Sequence, residues 1–122
     1  MAKILIVDDD DNQRLLYRET FEAEGFAVVE ASDARTALAY IGREPLDLVV
    51  LDINMPGMDG LEALLRIHEF DRKLPVVINS AYAEYKSQYR SWIADAYVIK
   101  SSNPGELMRT VLMLLDDARG ES

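Results

Sequence analysis

Residues 48–60 of the chain, LVVLDINMPGMDG, place four aliphatic residues before a single aspartate, Asp52, and then a loop that holds a proline and two glycines. A short, continuous apolar run bounded by turn residues is typical of a strand that is buried on both faces of a sheet. Comparable runs occur at four other places along the 122 residues. We therefore predict five buried strands, which cover Lys3–Val7, Ala27–Ala31, Leu46–Leu51, Pro75–Ile78 and Ala96–Ile99.

Segments with the apolar spacing of helices alternate with these strands. One follows the first strand over Asn12–Glu24, and Gly25 then supplies the left-handed residue that often ends a helix. Asp33 is the expected N-cap of a second helix, which Gly42 should end in the same left-handed way. Further helices are predicted after Gly60, over about residues 85–93, and from Asn103 as N-cap through Pro104 to near Ala118.

The alternation of strands and helices predicts an α/β protein whose parallel sheet is covered by helices on both faces. The commonest arrangement of this kind at this size is the flavodoxin-like, doubly wound sheet with strand order 2-1-3-4-5. We expect this fold, with five helices, to occupy residues 1–122 as a single domain. In it the first and third strands are neighbours, and ligands bind in the crevice at their carboxyl ends.

The composition argues against several classes of function. The net charge of −9 disfavours binding to nucleic acids and to anionic membranes, because both partners would carry negative charge. The chain has no cysteine, which excludes disulfides and thiolate sites and is typical of a reducing compartment. No apolar run approaches the ~20 residues of a membrane helix, and the N-terminal run is too short for a signal peptide. We therefore expect a cytoplasmic protein.

Acidic residues follow both of the strands that should flank the crevice. Asp8 and Asp9 directly follow the first strand, and Asp52 ends the third. Two like charges ~4 Å apart repel by about 4 kcal/mol at an effective dielectric constant near 20, so such a cluster needs a cation or a shared proton. Carboxylate oxygens with few protein neighbours suit Mg²⁺. For Asp10 and Asp11 the favoured interpretation is instead a solvated turn and helix N-cap.

Polar residues also follow the apolar runs of the fourth and fifth strands, with Ser80 after VVIN and Lys100 after AYVI. Taken alone, such a serine is usually a turn residue and such a lysine usually points to solvent. Together with the acidic cluster, they place a hydroxyl and an ammonium at the same crevice. This combination suits a nucleophilic carboxylate, a metal ion and a phosphoryl group.

Four motifs in this order resemble the receiver domains of bacterial two-component response regulators, and the match covers nearly the whole chain. The segments ILIVDDD, LVVLDINMPGMDG, VVINSAY and DAYVIK are similar to the family's acidic strand, phosphoacceptor strand and loop, hydroxyl-bearing strand and lysine strand. The resemblance implies that Asp52 accepts a phosphoryl group from a phosphohistidine on a sensor histidine kinase or a phosphotransfer protein.

The same resemblance implies a magnesium site and a set of groups that bind the phosphoryl oxygens. Asp9, Asp52 and the backbone carbonyl of Asn54 would bind Mg²⁺, and Asp8 would act mostly through water. By the same resemblance, the hydroxyl of residue 80 would donate a hydrogen bond to the phosphoryl group and the ammonium of residue 100 would pair with its oxygens.

The resemblance further implies a switch at Tyr97, an aromatic residue that would turn inward when Ser80 moves. Aromatic residues are dense around it, and such clustering suits a protein interface. The residues concerned are Tyr82, Tyr85, Tyr89 and Trp92. We therefore predict that the last two predicted helices and the fifth strand form the face that contacts a downstream protein. Core packing is the alternative for each of these aromatic side chains.

One departure from the family pattern follows the lysine. The family usually has proline there, in a cis bond, whereas Lys100 is followed by Ser101. A cis bond before a non-proline residue costs about 3 kcal/mol, so this bond should be trans with a rearranged loop, or strained. A receiver-like interaction module that is not phosphorylated therefore stays open as an alternative. A phosphatase or hydrolase with Asp52 as nucleophile is a further alternative, which the sequence disfavours because Asn54 stands where a general acid is normally needed.

Overall fold

Five parallel strands form one sheet in the computed structural model, which describes residues 2–53, 60–81, 94–101 and 103–120. The strands are β1 (Lys3–Val7), β2 (Ala27–Ala31), β3 (Leu48–Leu51), β4 (Val76–Ser80) and β5 (Ala96–Ile99). Their order across the sheet is β2-β1-β3-β4-β5, and every neighbouring pair is parallel. The predicted sheet and its strand order are therefore confirmed.

The limits of β4 differ from the prediction in a way that matters for the site. The apolar pattern places Asn79 and Ser80 after the strand, but they are its last two residues. Asn79 aligns with Val98 and Ser80 with Ile99, so the pairing with β5 continues past the apolar run. Both polar side chains are buried. The fourth strand therefore carries polar groups into the interior beside the crevice.

Four helices lie in the described residues: α1 (Asp11–Ala23), α2 (Ala34–Ile41), α3 (Gly60–Phe70) and α4 (Gly105–Gly120). The last of them extends two residues beyond its predicted end near Ala118. The fifth predicted helix, over residues 85–93, lies outside the described residues. None of the helices in the described ranges is both long and apolar enough to cross a lipid bilayer.

Side-chain caps explain where three of these helices begin. Asp10 Oδ1 accepts hydrogen bonds from the backbone N–H groups of Asn12 and Gln13, at 2.9 and 3.3 Å. Asp33 Oδ1 accepts from Thr36 N at 2.7 Å, and Asn103 Oδ1 accepts from Gly105 N at 2.9 Å. The predicted N-caps at Asp33 and Asn103, and the cap interpretation of Asp10, are therefore confirmed.

The two glycines that follow α1 and α2 behave differently. Gly25 has a φ of +92°, so the left-handed residue predicted after α1 is confirmed. Gly42 has a φ of −77°, and the left-handed residue predicted after α2 is wrong. The chain there continues its right-handed turn, because Arg43 N and Glu44 N both donate to the carbonyl of Tyr40.

The sheet separates two hydrophobic clusters that share no residue. One, the α1–α4 core, packs Tyr17, Phe21, Leu107 and Val111 against one face of the strands. The other, the α2–α3 core, packs Ala37, Leu64 and Ile67 against the opposite face. Each strand contributes alternate residues to the two clusters, as expected for a sheet covered on both sides.

Candidate functional site

Three carboxylates meet at the carboxyl ends of β1 and β3. Val7 aligns with Leu51, so the residues that follow, Asp8 and Asp52, leave the sheet side by side. One carboxylate oxygen from each of Asp8, Asp9 and Asp52 lies within 4.8 Å of the others. Asp8 is 1% exposed and Asp52 is 3% exposed, whereas Asp9 faces solvent. The structure therefore brings together the three predicted acidic residues, with one of them open to an incoming ligand.

Lys100 extends from the end of β5 into this cluster. Its Nζ lies 2.9 Å from Asp8 Oδ2 and 2.9 Å from Asp52 Oδ2. The contact with Asp52 has the geometry of a hydrogen bond, whereas the buried Oδ2 of Asp8 has an ion pair but no hydrogen bond among the described residues. The predicted convergence of Lys100 on the acidic residues is therefore confirmed.

The ammonium group of Lys100 is held in its charged form. Its side chain is 17% exposed, and this burial lowers the lysine's pKa because water no longer solvates the charge. The close contacts and negative charges of Asp8 and Asp52 act in the opposite sense and outweigh burial, so the pKa of Lys100 is raised above its ordinary value. The site therefore contains a resident cation that partly neutralises two buried carboxylates.

The turn after β1 is fixed by contacts that the acidic pattern alone does not reveal. Asp8 Oδ1 accepts from Asp10 N at 2.9 Å, and Arg14 Nη1 donates to the Asp8 carbonyl at 2.6 Å. Arg14 also pairs with Asp11 and lies 3.3 Å from Glu30 on β2. Asp10 and Asp11 thus serve the turn and the helix surface. Arg14, which the sequence analysis missed, fixes the backbone that carries Asp8.

Ser80 and Tyr97 lie on neighbouring strands beside the cluster. Ser80 is fully buried at the end of β4, and its carbonyl accepts from Lys100 N at 2.7 Å. Tyr97 is 5% exposed and belongs to the α2–α3 core, so in this structure its ring is turned inward. Asn54, the predicted source of a backbone metal ligand, lies outside the described residues. The aromatic residues predicted between positions 82 and 92 also lie outside them.

A second buried polar contact was missed by the sequence analysis. Asn79 Nδ2 donates to Tyr17 Oη at 2.8 Å, and both residues are buried. Tyr17 lies four residues before Phe21, and both are buried residues of α1, so the sequence gives no sign that the Tyr17 hydroxyl has a partner. Asn79 within VVINS does indicate a buried hydrogen bond, because an amide in an apolar run needs a partner inside the protein.

The loop after Lys100 accommodates the missing proline without a cis bond. No peptide bond among the described residues is cis, so Lys100 and Ser101 are joined by a trans bond. Ser101 Oγ accepts from Asn103 N at 3.1 Å, and Asn103 then caps α4. The expected trans bond is therefore confirmed, and Lys100 still reaches both carboxylates.

Comparison with known proteins agrees with this geometry. A family model described as the response regulator receiver domain matches residues 4–112. Sporulation initiation phosphotransferase F of Bacillus subtilis is 44% identical over 82 residues, which are 67% of this chain and 66% of that protein. The Escherichia coli regulatory protein AtoC is 38% identical over 107 residues, which are 86% of this chain and 23% of AtoC. The chain thus spans less than two thirds of the length of both curated relatives.

Two solved structures of the regulator TrrA from Thermotoga maritima have the same fold. TrrA in complex with Mg²⁺-BeF is 39% identical, with a TM-score of 0.88 over 93% of this chain and 99% of that chain. The complex of the histidine kinase ThkA with TrrA contains a chain that is 40% identical, with a TM-score of 0.86 over 94% of this chain and 99% of that chain. Together with the family model and the acidic site, these matches show that this chain belongs to the response regulator receiver domains.

Proposed function

We propose that this receiver domain accepts a phosphoryl group from a phosphohistidine donor onto Asp52, with Mg²⁺ bound at the acidic cluster. The observation that carries the proposal is the convergence of the Asp8, Asp9 and Asp52 carboxylates with the ammonium of Lys100. Phosphoryl transfer depends mainly on positioning and on neutralising oxygen charge. A carboxylate held beside a fixed cation and a cation-binding cluster meets both needs.

The donor set of the cluster fits Mg²⁺. All three side chains offer carboxylate oxygens, and Asp8 Oδ2 is buried without a hydrogen bond among the described residues. The formal charges of three carboxylates and one ammonium sum to −2, which a divalent cation balances. We assign Asp9, Asp52 and the Asn54 carbonyl as ligands, with Asp8 acting mostly through water. When bound, Mg²⁺ would neutralise the oxygens of the transferred phosphoryl group.

The residues of the chain have distinct parts in the proposed transfer. An oxygen of Asp52 forms a bond to phosphorus while the phosphorus–nitrogen bond of the donor breaks, and the electron pair stays on the imidazole nitrogen. Lys100 shifts from its two carboxylates to the phosphoryl oxygens. Ser80 donates its hydroxyl to the same group, and because Ser80 is buried, the end of β4 must move to allow this.

Tyr97 links this movement to the surface in our proposal. Its ring packs among the α2–α3 core residues, on the strand next to the one that ends in Ser80. A shift of Ser80 therefore changes the packing around Tyr97. We propose that the face near β5 then gains or loses affinity for a downstream protein target. Binding of nucleic acids or membranes forms no part of the proposal, because the net charge is −9.

The upstream partner in this proposal is a sensor histidine kinase or a phosphotransfer protein. The complex of TrrA with the kinase ThkA supports this choice, since the TrrA fold is shared over most of this chain. We also propose that the protein acts in the cytoplasm, where a chain without cysteine is ordinary.

The decisive test is phosphorylation by a small donor. The chain is incubated with acetyl phosphate and Mg²⁺, and its intact mass is measured. We expect a gain of one phosphate in the wild type and none in Asp52→Asn, because the amide is a poor nucleophile. The Asp71→Asn variant, which changes an exposed aspartate after α3, is the matched control and should gain phosphate normally. An unmodified wild type would favour a module that never carries phosphate.

A further inference from the structure

Asn79 stands in line with the two buried carboxylates of the site. Leu51 aligns with both Val7 and Ile78, so the next residue on each strand, Asp8, Asp52 and Asn79, lies at one level of the sheet. The residue two positions earlier on each strand belongs to the α1–α4 core: Ile6, Val50 and Val77. Since side chains alternate along a strand, all three polar side chains start from that same face. Asn79 is thus the uncharged third member of a row that contains the proposed phosphoacceptor.

Tyr17 of α1 contacts this row at Asn79. Its ring packs within the α1–α4 core, and its Oη accepts the hydrogen bond from Asn79 Nδ2 at 2.8 Å. Because Asn79 is the donor, the phenolic proton of Tyr17 remains available for another acceptor. The carboxylates of Asp8 and Asp52 are buried acceptors at this level of the sheet.

The electrostatic environment of Tyr17 agrees with that placement. Burial raises the pKa of the Tyr17 phenol, and the hydrogen bond from Asn79 lowers it to a smaller extent. The charges of Lys100, Asp8 and Asp52 also act on this hydroxyl, the lysine lowering the pKa and the carboxylates raising it. The phenol is therefore within electrostatic reach of the acidic site although it comes from a different element.

We propose that Tyr17 and Asn79 are positioning residues for phosphoryl transfer to Asp52. The pair joins α1 to the end of β4, one strand away from Asp52, and we infer that this link restricts the orientation of the Asp52 carboxylate before the donor arrives. The inference rests on the function proposed above and adds two residues to it. The position of a nucleophile strongly affects the reaction rate, since misplacement by about 1 Å can slow a reaction by roughly 100-fold.

A double variant distinguishes a structural role of the pair from a positioning role, because the two roles predict different phosphorylation rates once stability is restored. Tyr17→Phe leaves the Asn79 amide buried without its acceptor, and Asn79→Leu leaves the Tyr17 hydroxyl without its donor, so each single variant should lose stability. Replacing both partners by apolar groups removes the unpaired atoms and should restore much of that stability. A positioning role, however, needs the hydroxyl itself, which the double variant lacks.

The experiment measures two quantities in the full chain for the wild type, both single variants and Tyr17→Phe/Asn79→Leu. These are the free energy of urea unfolding and the initial rate of phosphorylation by acetyl phosphate with Mg²⁺, at a temperature well below unfolding. We expect the double variant to regain stability but to remain roughly 10-fold slower than the wild type in phosphorylation. Tyr40→Phe, which removes a hydroxyl beside the other core, is the control and should react at the wild-type rate.

Three results would overturn the inference. Recovery of the rate together with the stability in the double variant would make the pair structural only. A Tyr17→Phe variant that reacts as fast as the wild type would show that the hydroxyl has no part in the reaction. Failure of the wild type itself to gain phosphate would remove the proposed function, and this inference with it, and that outcome is visible before any variant is compared.

Discussion

Lys100 illustrates how one cation can hold a negatively charged site together. Its ammonium contacts two carboxylates that are almost completely buried, one directly after β1 and one directly after β3. Without it, Asp8 and Asp52 would face each other in a region of low dielectric constant. The lysine therefore has a structural role before any ligand binds, in addition to the role proposed for it in phosphoryl transfer.

We predict that Lys100→Met destabilises the protein in the absence of divalent cations. Removing one partner of a buried ion pair leaves uncompensated charge, and we expect a loss of about 3 kcal/mol in the free energy of unfolding. Mg²⁺ should recover much of this loss, because a divalent cation replaces the missing positive charge. Urea unfolding with Mg²⁺ and with a chelator measures both effects.

Lys73→Met is the matched control for this prediction, since Lys73 is an exposed lysine in the segment between α3 and β4. It should change stability by less than about 0.5 kcal/mol. An equal loss in the two variants, or a Lys100→Met variant that Mg²⁺ does not rescue, would contradict the proposed charge balance.

The residues of the site differ in whether their contacts could be predicted from the sequence. Asp8, Asp9, Asp52 and Lys100 could be assigned because each follows an apolar run, and parallel strands bring such positions together. Tyr17 and Asn79 could not be paired, because they are 62 residues apart and only the packing of α1 on the sheet joins them. The position of Arg14 over the Asp8 carbonyl depends in the same way on the local turn.

The helices show the value of local capping chemistry. Asp33 caps α2, and the backbone hydrogen bond from Thr36 is the main reason why the pKa of Asp33 is lowered. A lowered pKa means that the folded state favours the ionised carboxylate. The stabilisation is therefore fully present above the ordinary pKa of 3.8 and is lost as the pH falls through the folded-state value.

We predict that Asp33→Ala lowers the free energy of unfolding by about 1 kcal/mol at neutral pH, the usual cost of losing such a cap. The difference from the wild type should shrink as the pH falls below the ordinary pKa of aspartate. Asp33→Asn keeps a capping oxygen without a titrating group, so it should lose less stability at pH 7. Urea titrations at several pH values test this, and a difference that does not change with pH would contradict it.

Element boundaries could be predicted where the chain carries explicit local signals and not elsewhere. Asp33 and Asn103 are capping residues, and the helices begin beside them as predicted. Gly42 could have adopted a left-handed conformation, but the chain continued a right-handed turn, which composition does not decide. The end of β4 was misplaced because Asn79 and Ser80 are polar, whereas their pairing with β5 keeps them in the strand.

The net charge of −9 gives Mg²⁺ two ways to act on the protein. As one ion among many, it screens the repulsion among all acidic residues, and sodium chloride at the same ionic strength would do the same. As a bound ligand, it stabilises only the folded state that holds the acidic cluster. A variant of Asp9, the exposed member of that cluster, can separate the two contributions, because it removes a proposed ligand and only one of the many surface charges.

We predict that Mg²⁺ at 100 times its dissociation constant raises the stability of the wild type by about 2.7 kcal/mol beyond the effect of matched sodium chloride. Asp9→Asn should lose most of this increment while remaining folded, because Asp9 is exposed and outside the buried ion pairs. Asp117→Asn, an exposed residue on α4, should retain it. Thermal unfolding in the two salts provides the measurement. The absence of any increment beyond sodium chloride in the wild type would show screening alone, and an equal increment in all three proteins would show binding that does not involve Asp9.

The division of the interior into two clusters with no shared residue bears on how such a chain can be re-engineered. The apolar residues that support Asp8 and Asp52 from one side are not those that pack around Tyr97 on the other. A combinatorial library limited to the second group, such as Leu64, Ile67 and Leu74, would therefore repack one side of the interior and leave unchanged the apolar residues that support Asp8 and Asp52 from the other side. Variants of the packing around Tyr97 could be selected in that way without altering the apolar support of the two carboxylates.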